Sequence, residues 1–161
     1  MKKHKIFQCL LAFLILILVT GCAGIYENGK ELVSDTKPYI EEISVDELNI
    51  KIENLDDFFL IDVRQAAEFE KGSLPYSTLI PRGELEFKIG NKAFWEEEQW
   101  HVPLKDADIV IYCKKGDRGI LATKVLRELG YTNVKNLAGG IVAWDPSFES
   151  GATTEESGGC G

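Results

Sequence analysis

Cys113 is the residue of this 161-residue chain that is best placed to do chemistry. It directly follows Ile109-Val110-Ile111-Tyr112, an apolar run typical of a strand buried on both faces of a parallel sheet. A short loop and the start of a helix are predicted next, over residues 114–119. Loop amides and a helix N-terminus both favour a thiolate and attract anions.

The side chains of this loop strengthen the prediction. Its candidate substrate-binding residues are Lys114, Lys115, Gly116, Asp117, Arg118 and Gly119. Two lysines and an arginine add positive charge, so the nucleophile needs no histidine base. The alternative interpretation is a buried structural cysteine followed by a solvated basic loop.

The remaining cysteines and histidines argue against a metal enzyme. The other cysteines are Cys9, Cys22 and Cys160, and no two cysteines form a CxxC pair. The histidines are His4 and His101. We therefore expect no metal and no cofactor, and a Cys/His protease is disfavoured.

The charge of the chain excludes several classes of partner. Its formal net charge is -8, and the first 21 residues hold three lysines and no acid. The rest then has 15 basic and 26 acidic residues. Such an acidic chain is unsuited to nucleic acid, which requires a basic field. Electrostatic attachment to anionic lipid is disfavoured for the same reason.

The N-terminus has the pattern of a secretory signal. A basic start is followed by an apolar stretch over residues 6–19, which is shorter than the roughly 20 residues that span a bilayer. The junction Leu18-Val19-Thr20-Gly21-Cys22 resembles the bacterial lipobox, which implies that Cys22 carries lipid and anchors an extracytoplasmic protein to a membrane, on the periplasmic side or the cell surface. An uncleaved anchor or an ordinary secreted protein is the alternative.

The rest of the chain divides by composition and period. We predict a signal peptide over 1–21, a flexible tether over 22–38, a folded domain over 39–145 and a disordered tail over 146–161. Strand patterns alternate with helix patterns inside the domain, which predicts an α/β fold with a mainly parallel sheet. Cys113 then lies at the carboxyl end of a strand, where such folds bind ligands.

Five ordered motifs resemble the rhodanese family of sulfurtransferases. They are Cys113-x-x-Gly116-x-Arg118, residues 60–64 with Glu68-Phe69 (D-V-R-x-x-x-E-F), residues 80–87, Leu129-Gly130-Tyr131 with Val134, and residues 137–144 with Gly139-Gly140. The match covers about Ile43 to Trp144. Two departures stand out: Ser73 replaces a usual histidine, and Gly119 stands where a serine is frequent, which we expect to remove a hydroxyl from the loop rim.

The resemblance implies a function and a rhodanese-like fold. Cys113 would take a sulfur atom from a small anionic donor such as thiosulfate or a persulfide and pass it to a thiol or protein acceptor. The loop amides and basic side chains would bind the donor. Related phosphatases and arsenate reductases use Cys-x5-Arg, whereas the spacing here is Cys-x4-Arg. A non-catalytic docking module and a persulfide carrier in a sulfur relay remain as alternatives.

Four further residues have more than one interpretation. Asp62, Arg64 and Arg82 are candidates for supporting the pocket, although ion pairs that tie loops together are the favoured interpretation. Cys160 is a second thiol, either a sulfur acceptor for Cys113 or an incidental surface group.

Overall fold

The computed structural model describes residues 24–149, and its regular elements alternate between strands and helices. The strands are β1 (Glu42–Ile43), β2 (Phe59–Asp62), β3 (Ser77–Leu79), β4 (Ile109–Tyr112) and β5 (Val134–Leu137). The helices are α1 (Gly29–Thr36), α2 (Val45–Glu53), α3 (Ala66–Phe69), α4 (Leu85–Lys88), α5 (Lys92–Glu97), α6 (Asp117–Glu128) and α7 (Gly140–Trp144). Two 3₁₀ turns span Lys37–Tyr39 and Pro146–Glu149.

The strands form one five-stranded sheet in the order β1-β5-β4-β2-β3, with every neighbouring pair parallel. This confirms the predicted α/β class with a parallel sheet. β4 lies between β5 and β2 and is buried along its whole length. Because its strand neighbours are also parallel, their carboxyl ends meet at one edge, where Cys113 follows β4.

Alternating side chains of the central strands supply two hydrophobic cores. Phe59 and Ile61 of β2 join one core, while Leu60 joins the other. In β4, Ile109 and Ile111 face the first core and Val110 and Tyr112 the second, as expected from the period of two along a strand. Helices cover both faces, so the loop after β4 starts from a fully packed strand.

Local signals in the sequence place several helix boundaries. Ser44 caps α2 by accepting from the backbone N–H of Glu47, whose carboxylate accepts from the Ser44 N–H, which makes a capping box. The helix after Cys113 begins at Asp117, two residues before Gly119, where the helical apolar pattern of residues 119–129 starts. Gly116, at a φ of 103°, makes the tight turn that allows this earlier start.

The structure differs from the sequence analysis at both ends of the domain. The predicted tether contains α1, whose first turn is capped by the Asn28 side chain accepting from the N–H groups of Lys30 and Glu31. The predicted disordered tail begins with the 3₁₀ turn Pro146–Glu149, where the Ser147 N–H bonds the Asp145 carboxylate. In both segments a short polar side chain, Asn28 or Asp145, accepts hydrogen bonds from nearby backbone N–H groups. A search for apolar periodicity does not detect this kind of local order.

Among residues 24–149, no helix combines the length and apolar character needed to cross a membrane. The proposed lipidated Cys22 and the second thiol Cys160 lie outside the described residues.

Candidate active site

Cys113 lies at the bottom of the loop between β4 and α6. Its side chain is 1% exposed, and the backbone N–H of Gly116 donates to its Sγ at 3.1 Å. An N–H that points at sulfur from the first turn of a helix stabilises the anionic form of that sulfur. The predicted combination of thiol, glycine turn and helix start is therefore present in three dimensions.

The backbone of α7 is hydrogen-bonded to the first two residues of this loop. The N–H of Ile141 donates to the Cys113 carbonyl at 2.9 Å, and the N–H of Val142 donates to the Lys114 carbonyl at 3.1 Å. Gly140 makes this approach possible, because a Cβ on it would lie 2.3 Å from the Cys113 carbonyl oxygen. The closing Gly-Gly motif thus fixes the position of the nucleophile, a role that the sequence analysis had not assigned to it.

Arg118 turns its guanidinium toward α3. It makes a two-bond ion pair with Glu68, with N–O distances of 2.7 and 2.8 Å. The hydrogen bonds from Arg118 lower the pKa of Glu68 to about 2, against a partial opposing effect of burial. Glu68 raises the pKa of Arg118 in return, and Cys113 contributes to the same shift. Arg118 therefore bridges the sulfur loop and α3.

The Glu68 pair predicts a specific pH dependence of stability. A carboxylate whose pKa is depressed on folding stabilises the protein above its ordinary pKa, near 4.5, and loses that stabilisation as the pH falls toward about 2. The Glu68→Gln variant should therefore show a flatter dependence of unfolding free energy on pH between about 4.5 and 2. Urea titrations at several pH values measure this slope, and an unchanged slope would contradict the assignment.

Both lysines of the loop contact one residue beyond the predicted domain. The Lys114 ammonium donates to the backbone carbonyl of Glu149 at 3.0 Å, and the Lys115 ammonium bonds the Glu149 carboxylate at 2.5 Å. The hydrogen bond from Lys115 lowers the pKa of Glu149. These contacts were not predicted, since Glu149 was assigned to the disordered tail.

Asp62 and Arg64 form a buried ion pair beside the site. Arg64 is 3% and Asp62 0% exposed, and the guanidinium donates to the carboxylate at 2.7 Å. A further bond from Arg64 reaches the Gly72 carbonyl at 2.7 Å. The bond from Arg64 to Gly72 links the loop after β2 to the segment before β3, in keeping with an ion pair that ties two loops together.

Arg82, Asp117 and Gly119 occupy different surroundings. Arg82 pairs with Glu86 at 2.8 Å, four residues along its own segment, so this ion pair is local and does not tie two loops together. Asp117 is exposed at the first position of α6. Gly119 is buried rather than at the loop rim, so the expectation of a missing rim hydroxyl is wrong. A Cβ there would lie 2.0 Å from Oδ1 of Asn136, a β5 side chain that fills the space.

Three residues that contact the loop or lie against it were missed by the sequence analysis. Glu68 is part of the D-V-R-x-x-x-E-F motif, but no role was predicted for it. Asn136 lies in a strand that was predicted from its apolar residues alone. Glu149 follows the last recognised motif. Asn136 is fully buried and donates from Nδ2 to the Glu42 carboxylate at 3.0 Å. A polar residue in an otherwise buried strand is the one signal that could have marked it.

A cavity of about 450 Å³ lies away from Cys113, beside the amino end of β2. Its walls include Phe58, Tyr76 and Trp100, and neither Cys113 nor the loop after it contributes to them.

Comparison with known proteins places the chain in a family. The model of the rhodanese-like domain matches residues 44–146, so this chain belongs to the rhodanese-like domain family. The chain is 32% identical over 105 residues to a sulfurtransferase of Allochromatium vinosum, a match that covers 65% of this chain and 88% of that protein. It is 38% identical over 88 residues to the human thiosulfate:glutathione sulfurtransferase, covering 53% of this chain and 76% of the relative.

Solved structures agree with this placement. A human single-domain sulfurtransferase superposes with a TM-score of 0.60 at 32% identity, covering 64% of this chain and 93% of that one. A Rhodopseudomonas palustris protein of unknown function, described as a possible tyrosine phosphatase, gives a TM-score of 0.63 at 25% identity, covering 78% and 95%. The fold is therefore shared with sulfurtransferases and with a protein for which phosphatase activity has been suggested.

Proposed function

We propose that this protein is a sulfurtransferase that moves a sulfane sulfur atom through a persulfide on Cys113. The observation that carries the proposal is the buried Cys113 thiol at the carboxyl end of β4, with the Gly116 N–H directed at its sulfur. The two relatives described above bear the name sulfurtransferase and extend over most of the same domain.

The reaction has two displacement steps. The Cys113 thiolate attacks the outer sulfur of thiosulfate, the donor S–S bond breaks, and its electron pair leaves with sulfite. The new persulfide anion is held by loop N–H groups, as an oxyanion hole holds an oxygen anion. An acceptor thiolate or cyanide then attacks the outer sulfur, and the Cys113–sulfur bond breaks to restore the thiolate. Oxidation states balance without an added oxidant.

Loop size favours sulfur over phosphate as the bound group. Four residues separate Cys113 from Arg118, and the Gly116 N–H already lies at hydrogen-bonding distance from the thiol sulfur. The Arg118 guanidinium, which a phosphatase needs on the phosphoryl oxygens, is instead paired with Glu68. These features support sulfur transfer over the phosphatase alternative.

Sulfur transfer to cyanide tests the proposal. We expect thiocyanate formation from thiosulfate or an organic persulfide by the domain, and a loss of at least about 10³-fold in kcat/KM for Cys113→Ser. A Cys113→Ala variant with unchanged circular dichroism separates loss of chemistry from loss of fold. A wild-type protein without turnover on either donor would leave the docking module as the better account.

We also propose that Cys22 is lipidated and anchors the domain outside the cytoplasm. The support is the resemblance of residues 18–22 to a lipobox after a short apolar segment. Metabolic labelling with a fatty acid should mark the full chain, and Cys22→Ser should remove the label. Label that persists in Cys22→Ser would contradict the anchor.

Cys160 is proposed as an intramolecular acceptor. Glu149, which contacts Lys114 and Lys115 at the loop, stands eleven residues before it. Eleven residues reach at most about 40 Å, so the thiol is tethered within range of Cys113. Transfer would move sulfur from Cys113 to Cys160, or release hydrogen sulfide and leave a disulfide between them. Cys160→Ser should alter the lifetime of the Cys113 persulfide, and an identical lifetime would contradict this role.

A further inference from the structure

The cationic groups around Cys113 are already engaged with oxygen atoms of the protein. Arg118 is bound through two hydrogen bonds to Glu68. Lys115 is bound to the carboxylate of Glu149, and Lys114 to its carbonyl. These basic residues were expected from sequence to attract an anionic sulfur donor. Oxygen atoms of Glu68 and Glu149 therefore compete with that anion for their N–H groups.

The formal charges at the mouth of the loop cancel. Its three cations are Lys114, Lys115 and Arg118, and three carboxylates accompany them: Asp117, Glu68 and Glu149. A dianion gains most from an uncompensated positive field, whereas a monoanion held by backbone N–H groups depends on it less. The site as built is thus better matched to a donor of low charge.

Glu149 is held in position by the residues before it. The Phe148 ring lies 3.1 Å from the place where a Cβ on Gly72 would stand, and the Arg64 guanidinium lies 5.8 Å from the centre of that ring. The Phe148 N–H also bonds the Asp145 carbonyl at 3.2 Å. The matched family domain ends at residue 146, so this carboxylate comes from the segment that follows the shared domain.

We infer that the preferred donor is an organic persulfide carrying one negative charge, rather than the thiosulfate dianion, and that Glu149 sets this preference by occupying Lys114 and Lys115. The inference rests on the proposed sulfurtransferase function. In the balanced step, the donor binds as R–S–S⁻ beside the Cys113 thiol and takes its proton, which gives the Cys113 thiolate and R–S–SH. The thiolate attacks the outer sulfur, the new Cys113–sulfur bond forms and the donor S–S bond breaks. The leaving thiolate R–S⁻ takes the proton of the new persulfide, so the products are the Cys113 persulfide anion and the thiol R–SH.

The test compares two donors on three proteins. Values of kcat/KM for thiosulfate and for N-acetylcysteamine persulfide, a monoanion, are measured with the wild type, Glu149→Gln and Glu128→Gln. Glu128 is the matched control, because it pairs with Lys124 on the surface of α6. A single exposed ion pair is worth a few-fold in an equilibrium, so Glu149→Gln should raise kcat/KM for thiosulfate about three-fold.

The other results follow from charge. The wild type should have the higher kcat/KM with the persulfide monoanion. Glu149→Gln should change kcat/KM for that monoanion by less than about 1.5-fold. Added salt should reduce the rise in kcat/KM for thiosulfate that Glu149→Gln causes. Glu128→Gln should match the wild type with both donors. A wild type that prefers thiosulfate, or equal changes for both donors in Glu149→Gln, would overturn the inference and leave sulfur transfer intact. Absence of a Cys113 persulfide with both donors would instead remove the proposed function and this inference with it.

Discussion

Gly140→Ala should lower the free energy of unfolding by about 3–5 kcal/mol, since it combines backbone strain with overpacking. Gly140 has a φ of 64°, and a Cβ there would lie 2.3 Å from the Cys113 carbonyl oxygen and 2.7 Å from that of Lys114. Both neighbours are backbone atoms and cannot rotate away. The midpoint of urea unfolding measures the loss, and the sulfur loop should be displaced in whatever protein still folds.

Gly90→Ala is the matched control for this substitution. Gly90 is exposed, and a Cβ there would meet no atom within 4 Å. Its unfolding midpoint should therefore equal that of the wild type or exceed it slightly, because alanine restricts the unfolded chain. Equal midpoints for Gly140→Ala and Gly90→Ala would show that α7 does not press against the nucleophile loop as described.

Asp62→Ala should cost about 3–5 kcal/mol, because it leaves the buried Arg64 cation without its partner. The guanidinium is 3% exposed, and its remaining protein acceptor among the described bonds is the Gly72 carbonyl at 2.7 Å. The double variant Asp62→Ala with Arg64→Met removes both charges. It should recover much of the lost free energy of unfolding, since no buried charge is then left unpaired.

An exposed pair provides the comparison for Asp62. Lys92 and Glu96 pair across one turn of α5 with side chains 82% and 63% exposed, so Glu96→Ala should change stability by less than about 0.5 kcal/mol. Chemical denaturation of the four proteins gives the values. If Asp62→Ala were as mild as Glu96→Ala, Arg64 would have to be solvated in solution, and the loop that it ties at Gly72 would be loose.

The parts of the fold that depend on local sequence were predictable. The apolar run at β4, the Ser44 capping box and the position of Cys113 at a strand end all follow from spacing and residue type within a few positions. The helix after the loop was also expected, although Gly116 starts it earlier than apolar periodicity indicated. Such features need no knowledge of distant contacts.

The electrostatic partners of the site depend on tertiary structure. Glu68 and Arg118 stand 50 residues apart in sequence, and Lys115 and Glu149 stand 34 apart. No period or motif pairs residues over such distances, so the basic loop was expected to be free for a donor. Glu149 was further hidden by the polar composition of the segment after Trp144, which predicts disorder although Phe148 packs on the domain.

The most direct test of a persulfide on Cys113 is the intact mass of residues 23–161 after incubation with thiosulfate or an organic persulfide. Sulfur transfer through Cys113 predicts a gain of about 32 Da, one sulfur atom, that disappears on addition of cyanide. The gain should persist in Cys160→Ser and be absent from Cys113→Ser. A gain that survives in Cys113→Ser, or no gain with either donor, would contradict a sulfur-accepting thiol at Cys113.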